Sequence, residues 1–90
     1  MGAALVRMKL MPESPASNLS SIEGSAKSLI EKEGGIGIRF TEEPIAFGLK
    51  AVMVSFEWPE EKDLDSLEES LGKIGEVKSA EISDIRRAIG

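Results

Sequence analysis

Near the start of the chain, Val6, Met8 and Leu10 alternate with the charged Arg7 and Lys9. A period of two is the mark of a strand with one buried face, and it predicts a first strand over residues 3–11. The prolines of PESPAS (residues 12–17) remove amide donors and end that strand. The period then lengthens: Leu19, Ile22, Ala26, Leu29 and Ile30 recur at spacings of three and four, giving one apolar stripe on a helix. Asn18 or Ser20 is placed to cap its free amides. Gly24 weakens this helix by about 1 kcal/mol relative to Ala, and Gly34 closes it. Ile36, Ile38 and Phe40 return to alternation, against Gly37, Arg39 and Thr41. After a loop, residues 49–58 form a third strand with Val52, Val54 and Phe56 on one face. Its other face, with Ala51 and Met53, is also apolar near the middle, as suits a central strand. Pro59 breaks it, and Asp63 caps a second helix with the stripe Leu64, Leu67, Leu71 and Ile74. Acidic residues in that helix's first turn complement its dipole, and Gly75 ends it. Val77, Ala80, Ile82 and Ile85 alternate imperfectly, which predicts a last strand with a bulge or bend.

The order is β-α-β-β-α-β, a split βαβ arrangement of the α+β class. It predicts a ferredoxin-like sandwich, a four-stranded antiparallel sheet with two helices on one face, since right-handed crossovers place both helices on the same side. The opposite sheet face is left open. Residues 1–90 read as one domain, with no room for a second core.

Composition narrows the function. The chain has neither cysteine nor histidine, which excludes disulfides, Cys/His zinc sites, thiol nucleophiles and imidazole acid–base chemistry. Only carboxylates, lysines, serines and threonines remain for chemistry, which argues against a hydrolase or metalloenzyme, and no cofactor or metal is expected. A net charge of −5 argues against a general nucleic-acid binder, which needs a basic face. The open sheet face predicted from the first and third strands, Arg7, Lys9, Ala51, Met53 and Ser55, has no aromatic on which bases would stack. The charge is uneven: residues 57–69 hold seven acidic groups against Lys62, whereas Arg86 and Arg87 follow the last acidic residue, Asp84. An acidic surface with a basic tail suits a protein partner with regions of both signs.

The acidic run lacks the ligand spacing of a calcium loop and reads as a solvated turn and helix start. GGIG (residues 34–37) follows a helix and precedes a strand, the reverse of a dinucleotide fingerprint, so it reads as a cap and tight turn. Met1, Met8, Met11 and Met53 read as packing residues. No stretch approaches the ~18–20 apolar residues of a membrane span, and Arg7 and Lys9 interrupt the first apolar run, so no secretory signal is read there. The expectation is a cytoplasmic monomer.

One stretch resists the pattern. EEPIAFGLKAV (residues 42–52) carries Ile45, Ala46 and Phe47 in succession where a polar connection is the rule. Phe47 either caps the end of the core or is presented to a partner, with Gly48 permitting the turn. Lys50 is either a strand-edge charge or a phosphate-facing contact, and Arg86 and Arg87 are either a solubilising tail or a contact.

Together, MPESP (residues 11–15), EPIAFGLKAV (43–52) and VKSAEISDIRR (77–87) make the chain resemble the archaeal elongation factor 1-beta family along its whole length. PIAFGLK is the most specific part. The resemblance implies a ferredoxin-like guanine-nucleotide exchange factor for elongation factor 1-alpha, the GTPase that carries aminoacyl-tRNA, acting without covalent chemistry. It implies that Phe47, flanked by Ile45, Gly48 and Lys50, docks into the GTPase. A C-terminal lysine of the family inserts near the partner's magnesium and phosphates; Arg87, with Arg86 beside it, falls at that position. Arg is a planar fork where Lys is a compact point charge, and residues 88–90 alter the tail's length. Two other readings belong to this fold. One is a regulatory or ligand-binding domain that self-associates through the open sheet face. The other, an acyl-phosphate hydrolase, needs a glycine-bearing phosphate loop that the region around Asn18 lacks.

Overall fold

In the computed structural model, which describes residues 2–87, the alternating segments become β1 (Ala3–Pro12), β2 (Ile36–Pro44), β3 (Lys50–Pro59) and β4 (Val77–Arg87). They form one antiparallel sheet of order β2-β3-β1-β4. The two apolar stripes become α1 (Leu19–Lys32) and α2 (Leu64–Gly72), giving the ferredoxin-like α+β fold. Val6, Met8 and Leu10 of β1 and Val52, Val54, Phe56 and Trp58 of β3 cluster with Ile22, Ala26 and Ile30 of α1 and Leu67 and Leu71 of α2. Alternate residues of the two central strands thus meet both helices on one side, and the other side stays uncovered. Each buried Val, Leu, Ile, Met or Phe side chain among these contributes about 1.5–3 kcal/mol by leaving water.

Local chemistry sets the helix limits. The Asn18 side chain accepts from the Ser21 N–H at 3.0 Å, so the α1 cap is Asn18 and Ser20 lies within the first turn. α1 closes in a Schellman motif: the Gly35 N–H reaches the Ile30 carbonyl at 2.8 Å and the Gly34 N–H the Glu31 carbonyl at 3.1 Å. Asp63 caps α2, accepting from the Ser66 hydroxyl at 2.7 Å and the Asp65 N–H at 3.0 Å. Those two hydrogen bonds, the Ser66 one foremost, hold its carboxyl below the ordinary value of 3.8. No helix among the described residues is long and apolar enough to cross a membrane.

The structure corrects the sequence reading in four places. Ile36 lies opposite Glu57 while Arg39 lies opposite Ser55, so β2 carries an extra residue. Gly37, at φ 64, supplies the left-handed backbone of that bulge. Ile38 and Phe40 therefore pack against the core, but Ile36 is thrown out of phase and is 63% exposed. The second helix ends at Gly72, short of Gly75, and the left-handed residue in the following turn is Glu76. Ala51, opposite Glu43 and in phase with Met53 and Ser55, keeps its place on the open side but is fully buried there. The third strand begins at Lys50, leaving Leu49 in the turn. Arg86 and Arg87, read as a tail, are the last residues of β4. The bulge expected in the last strand is present: Arg7 faces Asp84 and Met8 faces Ile82, leaving Ser83 without a partner. Met8 is fully buried, in keeping with a packing role. Met1 and residues 88–90 lie outside the described residues.

Candidate functional site

The residues singled out from the sequence gather at opposite ends of the sheet. At one end the β2–β3 hairpin runs past the helices, and residues 41–48 are all exposed. The Ile45 N–H bonds to the Leu49 carbonyl at 2.8 Å and the Leu49 N–H to the Ala46 carbonyl at 2.9 Å, closing a tight turn. Its central residues both have positive φ, 53 at Phe47 and 80 at Gly48, the sign pattern of a type I′ turn. Glycine and asparagine are the usual occupants. A left-handed phenylalanine costs about 1–2 kcal/mol. Its ring is also 98% exposed, which forgoes the burial that fourteen core residues among those described receive. Phe47 is thus no cap on the core, and one of the two readings of that residue is removed. Ile45 beside it is partly exposed, and Lys50 forms a loose ion pair with Glu42 at 3.9 Å across the hairpin base. Such an exposed pair contributes at most about 1 kcal/mol, so Lys50 remains open to another anion.

Next to the turn lies the PESP loop between β1 and α1. A side chain at Gly48 would come within 3.9 Å of Pro15 Cβ. Loop and hairpin border a cleft of about 430 Å³ lined by Pro12, Ser14, Pro15, Leu19 and Lys50.

Arg86 and Arg87 stand at the other end. Arg87 lies opposite Ala4, and Lys50, by continuation of the β1–β3 register, stands level with Pro12. Eight residues along β1 span roughly 26 Å, within a molecule 42 Å long. Successive strand residues point to opposite faces. Arg86 accordingly donates to Asp84 at 3.0 Å on the open face, whereas Arg87 turns the other way and donates to Glu60 at 3.1 Å. Glu60 sits just beyond β3, held by its N–H to the Gly2 carbonyl at 3.1 Å. This end is well braced. The Trp58 indole donates to the Lys62 carbonyl at 3.3 Å, Phe56 meets Trp58 edge-on at 5.9 Å, and the Lys62 ammonium bonds the Glu33 carbonyl at the end of α1.

The open face carries Leu5, Arg7, Arg39, Ser55, Glu57, Asp84 and Arg86 around a shallow groove. Phe56 also borders the groove, but its side chain is buried in the core, so among the described residues this face offers no exposed aromatic, and its charges are of mixed sign. Among the described residues, no group of carboxylates has the arrangement of a metal site. Two features escaped sequence reasoning. Glu60 was legible only as one acid in a run, and Glu76 only as the residue after a glycine, because register and backbone angle gave each its place.

Residues 5–88 match the family model described as the EF-1 guanine nucleotide exchange domain. The chain is similar to proteins named elongation factor 1-beta in several archaea. It is 36% identical to that of Methanobrevibacter smithii over 88 residues, 97% of this chain and 98% of the relative. Identity is 34% to that of Methanococcus vannielii over 86 residues, 94% and 97% of the two chains. It is also 34% to that of Methanocaldococcus jannaschii over 90 residues, 98% and 100% of the two.

Proposed function

The chain belongs to the EF-1 guanine nucleotide exchange domain family, and on that premise we propose that it binds elongation factor 1-alpha and speeds replacement of GDP by GTP. No bond of the nucleotide is made or broken. The chain and the nucleotide are negatively coupled on the GTPase, each lowering the other's affinity by the same factor. The reaction runs through a complex from which GDP leaves readily, and incoming GTP then displaces the chain. It acts as a cytoplasmic monomer, without nucleic acid.

One observation carries this reading: Phe47 is held in a left-handed turn with its ring in water. A residue so unfavourable to the free chain has its use in a complex, where the ring is buried as an anchor. Ile45 widens the apolar tip and Lys50 supplies a charge at its base. Because the turn is closed by two backbone hydrogen bonds, little conformational freedom is lost on docking.

The arginines act elsewhere on the partner. Separated from Phe47 by the length of the sheet, they contact a second region of the GTPase, where Arg87 competes for the acidic and phosphate groups that hold magnesium and GDP. To do so it exchanges the Glu60 carboxylate for the partner's. The side chain is 81% exposed and the pair is weak, so the exchange is easy. Arg86 adds positive charge from the opposite sheet face.

The test is release of fluorescent GDP from loaded elongation factor 1-alpha by substoichiometric chain in excess GTP. Acceleration through many turnovers is expected. Release at the intrinsic rate, with a GTPase that still loads nucleotide, would remove the proposal.

A further inference from the structure

Among the described residues, two non-glycines take left-handed backbone, Phe47 at φ 53 and Glu76 at φ 72. Both belong to the hairpin end of the sheet, since Val77 lies opposite Pro12. Glu76 is the third residue of a turn closed by the Val77 N–H on the Ile74 carbonyl at 3.1 Å. With positive φ at that position alone, the turn has the type II pattern, which glycine relieves. The sequence has a glycine, Gly75, one position too early. Strain of this kind persists where surrounding contacts impose it.

The contacts of Glu76 show what is imposed. Its carbonyl accepts from the Glu13 N–H at 2.8 Å, where the PESP loop leaves β1. Its carboxylate accepts from the Asn18 N–H at 3.0 Å, where the same loop enters α1. One residue therefore brackets the loop at both ends. Within it, the Ser14 N–H bonds the Ser17 hydroxyl and the Ala16 N–H the Ser14 hydroxyl, both at 3.2 Å, so residues 13–18 form a stiff, mostly exposed ridge. That ridge lies against the Phe47 turn, with Pro15 facing Gly48 across the cleft.

We propose that Glu76 is a positioning residue for the partner contact. It fixes the PESP ridge beside the Phe47 turn, so that ridge and turn meet one region of elongation factor 1-alpha as a continuous surface. This rests on the docking role of Phe47. Pro15 and Leu19 extend the apolar tip, the Ser14 and Ser17 hydroxyls give it polar contacts, and the cleft between ridge and hairpin receives a side chain of the GTPase. Both strained residues then serve one interface, Phe47 by touching the partner and Glu76 by holding what touches it.

The experiment measures GDP release against chain concentration for the parent and for Phe47→Ala, Glu76→Gly, Glu76→Gln and Pro15→Ala, with the melting temperature of each. Glu76→Gly relieves the backbone but loses the acceptor for Asn18. It should raise the half-saturating concentration about fivefold, the loss of one net hydrogen bond, while the maximal rate and melting temperature hold. Glu76→Gln keeps an oxygen acceptor and should restore parental half-saturation. Pro15→Ala, which leaves Glu76 and its bonds in place, should also raise half-saturation, and it serves if Glu76→Gly does not fold. A lowered melting temperature with half-saturation unchanged in Glu76→Gly, or an unchanged value in Pro15→Ala, overturns the proposal by making Glu76 a staple of the fold alone. If Phe47→Ala itself binds as the parent does, the docking reading fails instead.

Discussion

The two ends of this sheet present their groups by opposite means. At the hairpin end an apolar ring is held in water by backbone geometry: positive φ at Phe47 and Gly48, and two hydrogen bonds that close the turn. At the other end the groups are charged, long and exposed, and among the described residues they are held by ion pairs, Arg86 with Asp84 and Arg87 with Glu60. The difference follows from what each end offers. An apolar anchor gains from rigidity, because any freedom it has is lost on binding. A guanidinium that must leave one carboxylate for another gains from a weak hold. In the function proposed above, one end binds and the other exchanges partners.

The comparison can be broken at either end. The largest effect is expected from Phe47→Ala, which should weaken the complex by about 2 kcal/mol or more, the usual result of truncating a central aromatic anchor. The isolated chain should keep its fold, because the ring contributes nothing to the core; calorimetric titration and thermal melting read the two. Undiminished affinity would remove the anchor. Next comes Arg87→Ala. It should slow GDP release about tenfold, in line with hydrogen bonds to charged groups, and leave affinity nearly unchanged; equal loss in both would erase the division of labour. Smaller still is Glu60→Gln, which should cost less than about 1 kcal/mol of stability, because the pair is exposed. Release should be no slower with it, and a clear drop in release rate would show that Glu60 orients Arg87 instead of merely holding it.

The smallest effect lies outside both ends. Asp63 has its carboxyl lowered below 3.8 by Ser66 and Asp65. A depressed carboxyl stabilises the fold above its unfolded value, and that contribution is lost as pH falls from 3.8 through the folded value. Acid unfolding of Asp63→Asn should therefore lose part of the parent's dependence in that range, and identical profiles would deny the cap its electrostatic part.

How much of this was legible beforehand depends on the range of the interaction. Periodicity found all six elements, because a stripe or an alternation is written in consecutive residues. It failed at Ile36, where one extra residue at Gly37 reverses every later side chain, and at Gly75, where the left-handed position fell one residue further on. Both are backbone events with no mark in the pattern. Phe47 stood out as an apolar residue in a loop, but its exposure was undecided until the turn was seen. Glu60 and Glu76 were invisible, since the first matters through Arg87, 27 residues away, and the second through Asn18, 58 residues away.

The division of labour is tested most directly by one measurement: single-turnover release of fluorescent GDP from elongation factor 1-alpha, followed across chain concentrations for the parent, Phe47→Ala and Arg87→Ala. The expected result is a split. Phe47→Ala should shift half-saturation about thirtyfold upward with little change in the maximal rate, as about 2 kcal/mol of lost anchoring implies, whereas Arg87→Ala should lower the maximal rate at parental half-saturation. If both variants change the same parameter in the same proportion, the two ends act as one and the account is wrong.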